Sequence, residues 1–186
     1  MTSHRVLLVL NIQVGLIADP PQGIPAARLV RENVATVLEQ ARCASHPPRI
    51  IHCRSCGDPG DIDEKGTQTW ELLHAPRSGE FVVDCRKTNA FMGTALGELI
   101  APDAELVVVG LMSEYAVKST CRAALRRGNT VLLMRGAHGT HDHTVIADGG
   151  RFTPGENISA RVEEELDRAG AMILDMKYLS GLFEGR

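Results

Sequence analysis

Two cysteines are spaced as a redox or metal site would need. Cys53 and Cys56 form a C-x-x-C pair directly after an apolar run, a spacing typical of dithiol redox sites and of half a zinc site. A thioredoxin-like site needs a helix next, but turn residues occupy 57–60, and no second C-x-x-C or C-x-x-H supplies further zinc ligands. We therefore interpret both cysteines as ordinary thiols at a strand end.

A second segment is rich in side chains that bind metals. His138, His141, Asp142 and His143 follow one another closely, and imidazole and carboxylate groups at short spacing can converge on a transition metal. Loop histidines in a polar stretch are more often solvated or hydrogen-bonded to the backbone. We therefore expect no metal here.

Motifs that hold nucleotide cofactors or a serine nucleophile are missing. The sequence has no G-x-x-x-x-G-K-[ST], and residues 11–15 (Asn-Ile-Gln-Val-Gly) stand where a G-x-G-x-x-G would follow the first strand. Residues 110–114 (Gly-Leu-Met-Ser-Glu) have the wrong spacing for a G-x-S-x-G nucleophile elbow. We expect no cofactor.

Short apolar runs alternate with amphipathic stretches, which predicts a doubly wound α/β fold: a mainly parallel sheet of about six strands with helices on both faces. Several runs are apolar at consecutive positions, as in strands buried on both faces. The predicted strands are 6–10, 49–53, 81–85, 106–109, 130–134 and 171–174, and the predicted helices are 24–41, 94–100, 114–127 and 156–169. Residues 55–67 and 136–155 are predicted loops. No linker or repeat divides the chain, so we expect residues 1–186 to form a single domain.

This arrangement brings three parts of the sequence to one edge of the sheet. In doubly wound sheets, ligands bind beyond the carboxyl ends of the strands, near the point where the strand order reverses. Asn11 follows the first strand, Lys87 follows the third, and residues 110–116 follow the fourth. The last segment leads into a helix N-terminus, which can stabilise an anion.

Composition restricts the partners. The 186 residues have a net charge of -3 and are 4% aromatic, so the chain has no general attraction to phosphate backbones or anionic membranes and few side chains for base stacking. The first apolar run is too short for a signal sequence or a membrane span, and the odd number of cysteines indicates reduced thiols. We expect a cytoplasmic protein that binds a small-molecule substrate or ligand, with no nucleic-acid or membrane partner.

Three segments in a fixed order form a more specific pattern than any single motif. They are Leu10-Asn11-Ile12-Gln13, then Lys87 followed by Ala90-Phe91-Met92-Gly93-Thr94-Ala95-Leu96, then Val109 to Val117, with support from the later Ala137-His138-x-Thr140-x-Asp142. From Val6 to about Leu179, the chain resembles the isochorismatase-like hydrolases, also called the cysteine hydrolase family. The resemblance implies an isochorismatase-like, Rossmann-like three-layer sandwich and a homodimer or homotetramer.

The resemblance also implies an active site. In that family an Asp at the end of the first strand takes the proton of a Cys at the start of the helix after the fourth strand, and a Lys after the third strand supports the charges. The thiolate attacks an amide carbonyl, and backbone N–H groups near a cis peptide hold the oxyanion. In this sequence the peptide would lie near Leu111-Met112, with donors at Met112 and Ala116.

Only Lys87 of that catalytic set is present. Asn11 and Ala116 occupy the Asp and Cys positions, and they supply neither a carboxylate base nor a nucleophile. Isochorismatase itself works without the Cys and uses the Asp as an acid for vinyl-ether cleavage, but this Asp is missing too. A buried Lys87 could act as a general acid or base itself. Alternatively, it donates hydrogen bonds to Asn11 and loop carbonyls as a structural relic.

Further residues are implied as contacts to the substrate: Gln13, Trp70, Phe91, Met112, Ser113 and Tyr115. The bulky apolar members of this set could equally belong to the core. The D-x-H metal motif of nicotinamidases is missing from residues 52–58, so the resemblance does not imply a metal.

Two cysteines are candidates for a replacement nucleophile. Cys121 lies roughly 140° around the helix from Ala116, so it should face elsewhere. Cys85 precedes Lys87 by two residues and could share its side of the sheet. A core thiol is the default reading of both.

Two functions remain open. The chain could be an atypical hydrolase or lyase-type enzyme that acts on a small carbonyl, amide or vinyl-ether metabolite with Lys87, Asn11 and backbone donors. It could instead be a pseudoenzyme that binds a metabolite or a catalytic partner. A third reading, in which Asn11 and Ala116 were introduced to trap a substrate, is disfavoured because it needs two simultaneous changes.

Overall fold

Strands and helices alternate along the chain. The computed structural model describes residues 5–145 and 150–184. In chain order the elements are β1 (Arg5–Leu10), α1 (Ala27–Cys43), β2 (Arg49–Ser55), β3 (Phe81–Cys85), α2 (Leu96–Leu99), β4 (Glu105–Leu111), a π-helical turn (Ser113–Val117), α3 (Lys118–Arg127), β5 (Thr130–Gly139), β6 (His143–Val145), β7 (Arg151–Thr153), α4 (Gly155–Arg168), β8 (Met172–Asp175) and a 3₁₀ turn (Met176–Tyr178).

Six of the strands form one parallel sheet in the order β3-β2-β1-β4-β5-β8. Helix α1 packs Val30, Val34 and Val37 on one face of this sheet, and α3 and α4 contribute Cys121 and Leu166 to the core on the other. The predicted α/β fold is therefore confirmed. Within the described ranges, no helix is long and apolar enough to cross a bilayer.

The 136–155 segment departs from the prediction of a loop. After a register shift between Val108 and Gly110, β5 continues to pair with the end of β4, where Gly110 lies opposite His138. Strands β6 and β7 then pair in antiparallel fashion, and residues 146–149 lie outside the described residues. The end of β5 is buried, with Ala137 in the core, but its Gly and His residues break the apolar run on which the strand prediction depends. The helix predicted over 94–100 is shorter, spanning only Leu96–Leu99.

Strands β1 and β4 approach closely where the strand order reverses. Gly110 has a φ of 129°, and a Cβ at this position would lie 2.0 Å from the carbonyl oxygen of Leu10, so only glycine fits. Asn11 has a φ of 54°, a left-handed conformation that Asn tolerates better than most residues. The residues after β1 and after β4 therefore come together at the carboxyl edge of the sheet.

Candidate active site

A cavity of about 240 Å³ lies at the carboxyl ends of β1 to β4. It spans the reversal point between β1 and β4, where doubly wound folds bind ligands. Five of the residues implied by the resemblance are in its lining: Asn11, Lys87, Met112, Tyr115 and Ala116. A neighbouring cavity of about 330 Å³ shares Arg86 and Lys87 with it, so the two offer room for a substrate larger than a simple amide.

The side chain of Asn11 is hydrogen-bonded to the end of β4. Its Nδ2 donates a hydrogen bond to the carbonyl oxygen of Leu111 at 3.0 Å. An ionised Asp at position 11 could not make this bond and would face the carbonyl with like partial charge. Asn11 therefore acts here as a hydrogen-bond donor that joins β1 to the turn after β4.

The structure corrects the expectation of a buried lysine. Lys87 is exposed, because β3 is an edge strand and Lys87 lies just beyond its end. Among the described residues, Lys87 makes no hydrogen bond or ion pair, so the proposed bond from Lys87 to Asn11 is not formed. The ammonium group remains free to meet a ligand.

Two further charged groups line the cavity with Lys87: Arg86 and Asp63. Neither has a side-chain partner among the residues the structure describes. The loop backbone holds Asp63 in position, because its carbonyl oxygen accepts a hydrogen bond from the N–H of Gly57 at 3.0 Å. Two cations against one carboxylate give the lining a net positive charge, which favours a ligand with an anionic group.

The turn after β4 supplies a backbone donor. The peptide between Leu111 and Met112 is cis, as the resemblance implied. The N–H groups of Tyr115 and Val117 both donate to the carbonyl oxygen of Met112, at 3.1 and 3.2 Å. In the described part of the chain, the N–H of Met112 itself donates to no atom. An unpaired N–H in a cavity wall is the kind of group that stabilises an oxyanion.

Four of the implied substrate contacts lie away from the cavity lining. Gln13 is fully buried, and its amide donates to the carbonyl oxygens of Ser55 and Trp70 at 3.0 and 2.9 Å. The ring of Trp70 packs against the guanidinium of Arg54, 3.6 Å from the ring centroid. Phe91 packs against the core on the face of the sheet that includes residues of α3 and α4. None of these three side chains is in the cavity lining.

Ser113, the fourth of these residues, belongs to a buried hydrogen-bond network. Its Oγ lies 2.8 Å from His138 Nδ1 and 2.9 Å from Ser159 Oγ, and His138 Nε2 lies 3.2 Å from Glu163 Oε1. Burial raises the pKa of Glu163, but hydrogen bonds from His138 and Arg135 outweigh it and lower the pKa. The network ties the π-helical turn to β5 and α4, and thereby fixes Met112.

Two other residues of the histidine segment, Asp142 and His143, bind different partners and do not converge on one site. Asp142 Oδ1 accepts a hydrogen bond from the N–H of Gly155 at 2.7 Å, and His143 Nε2 lies 2.9 Å from Glu114. Within residues 5–145 and 150–184, no three His, Cys, Asp or Glu side chains are grouped to hold a metal ion.

Two of the charged groups in the lining could not be predicted from the sequence. Asp63 lies in the loop rich in Gly, Asp and Pro, where no periodic pattern indicates which side chain turns inward. Arg86 directly precedes Lys87, so its position next to the predicted lysine was the available signal. Cys85, which the sequence offers as a candidate replacement nucleophile, lies in the cavity lining.

Comparisons with known proteins concern the family and the fold. The isochorismatase domain family matches residues 5–146. Two streptothricin hydrolases from Streptomyces noursei are 32% identical over 164 residues and 34% identical over 142 residues, covering 86% and 74% of this chain. The matches cover 58% and 55% of those proteins, so the chain spans little more than half the length of these curated relatives.

A solved structure resembles the whole fold. The crystal structure of an isochorismatase from Pseudomonas putida KT2440 has a TM-score of 0.82 at 24% identity, and the alignment covers 94% of this chain and 89% of that one. At this level of identity the likeness concerns the fold alone.

Proposed function

The chain belongs to the isochorismatase family, and from this membership we propose that it is an atypical hydrolase or lyase-type enzyme acting on a small carbonyl, amide or vinyl-ether metabolite. One observation carries the proposal: the same cavity at the strand ends is lined by Lys87 and Met112, and within the described residues neither the ammonium of Lys87 nor the N–H of Met112 has a hydrogen-bond partner. Both groups can stabilise negative charge, which is the central requirement for cleaving an acyl compound.

In the proposed reaction, a nucleophile attacks the carbonyl carbon of the substrate. This attack puts negative charge on the carbonyl oxygen. The N–H of Met112 donates to this oxygen, while Lys87 lies in the same lining and balances the charge. A preorganised donor of this kind typically contributes a factor of about 10² to 10³ in rate. Asn11 keeps the turn in register through its bond to Leu111. For a vinyl ether, the ammonium of Lys87 would instead supply the proton.

The charge of the lining restricts the substrate class. Arg86 and Lys87 outnumber Asp63 among the charged lining residues, so we propose a substrate with a carboxylate or other anionic group near the bond that breaks. Streptothricin, named in the two curated relatives, is the first compound to assay. The assay also includes a panel of small amides and esters. The panel is needed because this chain spans little more than half the length of those relatives and can differ from them in substrate.

The rival proposal is a pseudoenzyme that binds a metabolite or a catalytic partner. Two observations favour it: the amide of Asn11 is engaged with Leu111, and Ala116 brings no reactive group to the cavity. Under this proposal the same charges bind a ligand but no bond is cleaved.

We also propose that the protein is a homodimer or homotetramer in the cytoplasm. Large apolar side chains are exposed near the cavity, including Met92 at 57% and Tyr115 at 53%, and such side chains often mark contacts between chains. Light scattering on the purified protein tests the assembly. A monomer at micromolar concentration would contradict it.

The discriminating experiment compares the parent with the double variant Asn11→Asp/Ala116→Cys on the substrate panel, after circular dichroism has established that both are folded. Hydrolysis of at least one compound by the parent is the expected result. Amidase activity gained by the double variant, with none in the parent, would contradict the hydrolase and favour the pseudoenzyme.

A further inference from the structure

One thiol of the cavity has no role in the function proposed above. Cys85 is the last residue of β3, is 5% exposed, and lines the cavity together with Asn11 and Ala116. The cavity that lacks a thiol on the helix side therefore has one on the strand side. We propose that Cys85 is the nucleophile of this cavity and takes up the acyl group of the substrate as a thioester. This proposal rests on the hydrolase function proposed above.

A second cysteine lies behind the first. On the paired strands, Cys53 lies opposite Val83 and Ser55 lies opposite Cys85, so both thiols point to the same face and join the same core. The thiol of Cys85 donates a hydrogen bond to the carbonyl oxygen of Val83 at 3.7 Å. Its interaction with Cys53, together with burial, raises the pKa of Cys53 well above its usual range. The same interaction lowers the pKa of Cys85, against burial and the charge of Asp84, which raise it. The pairing of the two thiols thus favours the proton on Cys53 and the thiolate on Cys85.

The remaining thiols lack this combination of access and activation. Burial raises the pKa of Cys121 to about 12. Cys43 is exposed, but its hydrogen bond to Glu39 at 3.2 Å raises its pKa. Cys56 borders the neighbouring cavity instead. Cys43 therefore serves as an internal reference: an accessible thiol without activation.

The acyl-transfer step balances with groups already in the cavity. The thiol proton of Cys85 passes to the carboxylate of Asp63, and the sulfur forms a bond to the carbonyl carbon of the amide. The resulting oxyanion accepts a hydrogen bond from the N–H of Met112. When the C–N bond breaks, the proton moves from Asp63 to the departing amine. Water then adds to the thioester, the S–C bond breaks, and the acid and the free thiol are released.

The test uses p-nitrophenyl acetate, a small activated ester, on the intact protein. We expect a burst of about one equivalent of p-nitrophenolate, and peptide mapping should find a hydroxylamine-labile acetyl group on Cys85. The burst should fall at least about tenfold in Cys85→Ser and stay unchanged in Cys43→Ser. Cys53→Ala should shift the pH profile of acylation to higher pH, because it removes the neighbouring thiol that favours the thiolate at Cys85.

Mapping on the parent does not depend on the folding of any variant. An acetyl group on Cys43 with none on Cys85, or an undiminished burst in Cys85→Ser, would overturn the assignment. Failure of the hydrolase proposal gives a different result: Cys85 becomes acetylated while the parent turns over none of the amide panel. Equal turnover of that panel by Cys85→Ser and the parent would leave the hydrolase standing and remove Cys85 from its mechanism.

Discussion

The start of β3, the strand that leads to Cys85 and Lys87, is held by a buried ion-pair cluster whose contribution to stability can be measured. Arg42 at the end of α1 donates to both carboxylate oxygens of Glu80, at 2.7 and 2.9 Å. His52 Nε2 on β2 lies 2.7 Å from Glu80 Oε2, and the Glu80 side chain is only 7% exposed. We predict that Glu80→Gln lowers the free energy of unfolding at pH 7 by about 3 kcal/mol.

The magnitude follows from the pKa of Glu80. Burial raises this pKa, but hydrogen bonds from Arg42 and His52 outweigh it and lower the pKa from 4.5 to about 2. At about 1.4 kcal/mol per unit, this difference corresponds to roughly 3 kcal/mol. Because the folded-state pKa is the lower one, the stabilisation is complete above about pH 4.5 and is lost as the pH falls toward 2. At pH 3, about 2 kcal/mol should already be lost.

The assay is urea unfolding between pH 7 and pH 3, followed by the fluorescence of the single tryptophan, Trp70, which is buried. His52 also reduces stability on acidification, since burial lowers its pKa, but it acts as the pH falls below about 6.5. The matched control is Glu164→Gln, which removes a largely exposed pair with Arg168 and should cost at most about 0.5 kcal/mol. If Glu80→Gln loses as much stability between pH 7 and pH 3 as the parent, the reasoning is refuted.

Two further changes test how the cavity is held together. Gly110→Ala would put a Cβ 2.0 Å from a carbonyl oxygen of β1 at positive φ, so we expect a loss of at least about 3 kcal/mol in urea unfolding. Gly170→Ala, also at positive φ but with open space around it, should lose only about 1 kcal/mol, and an equal loss in both would contradict the steric argument. Ser113→Ala should cost about 1–2 kcal/mol because it leaves the buried Nδ1 of His138 without its hydrogen-bond partner. Ser119→Ala, at an exposed hydrogen bond, should stay within about 0.5 kcal/mol, and similar values for the two serines would mean that the buried network carries no energy.

Hydrophobic patterning was sufficient to predict the sheet. The strands from Val6 to Leu10 and from Leu106 to Val109 are buried on both faces, so continuous apolar runs marked them. The continuation of β5 to His138 could not be predicted from the sequence, because its pairing depends on the register shift in β4. Only the three-dimensional approach of the two strands determines that shift.

The site was predictable only where it depends on the backbone. Asn11, Lys87 and Met112 meet because they follow strands whose carboxyl ends share an edge, and strand order follows from the topology. Whether a side chain faces the cavity depends on local packing. Gln13 turned into the interior to satisfy backbone carbonyls, and Asp63 reached the lining through loop hydrogen bonds that no periodicity encodes.

Turnover by the parent compared with Lys87→Ala tests the hydrolase proposal most directly. Steady-state hydrolysis of streptothricin and the small-amide panel would be followed by mass spectrometry, with Lys177→Ala as a control for the loss of an exposed lysine elsewhere on the surface. The account predicts product with the parent and with Lys177→Ala, and a loss of at least about 100-fold in kcat/KM for Lys87→Ala. Equal turnover by Lys87→Ala, or no product from any compound with the parent, would contradict it.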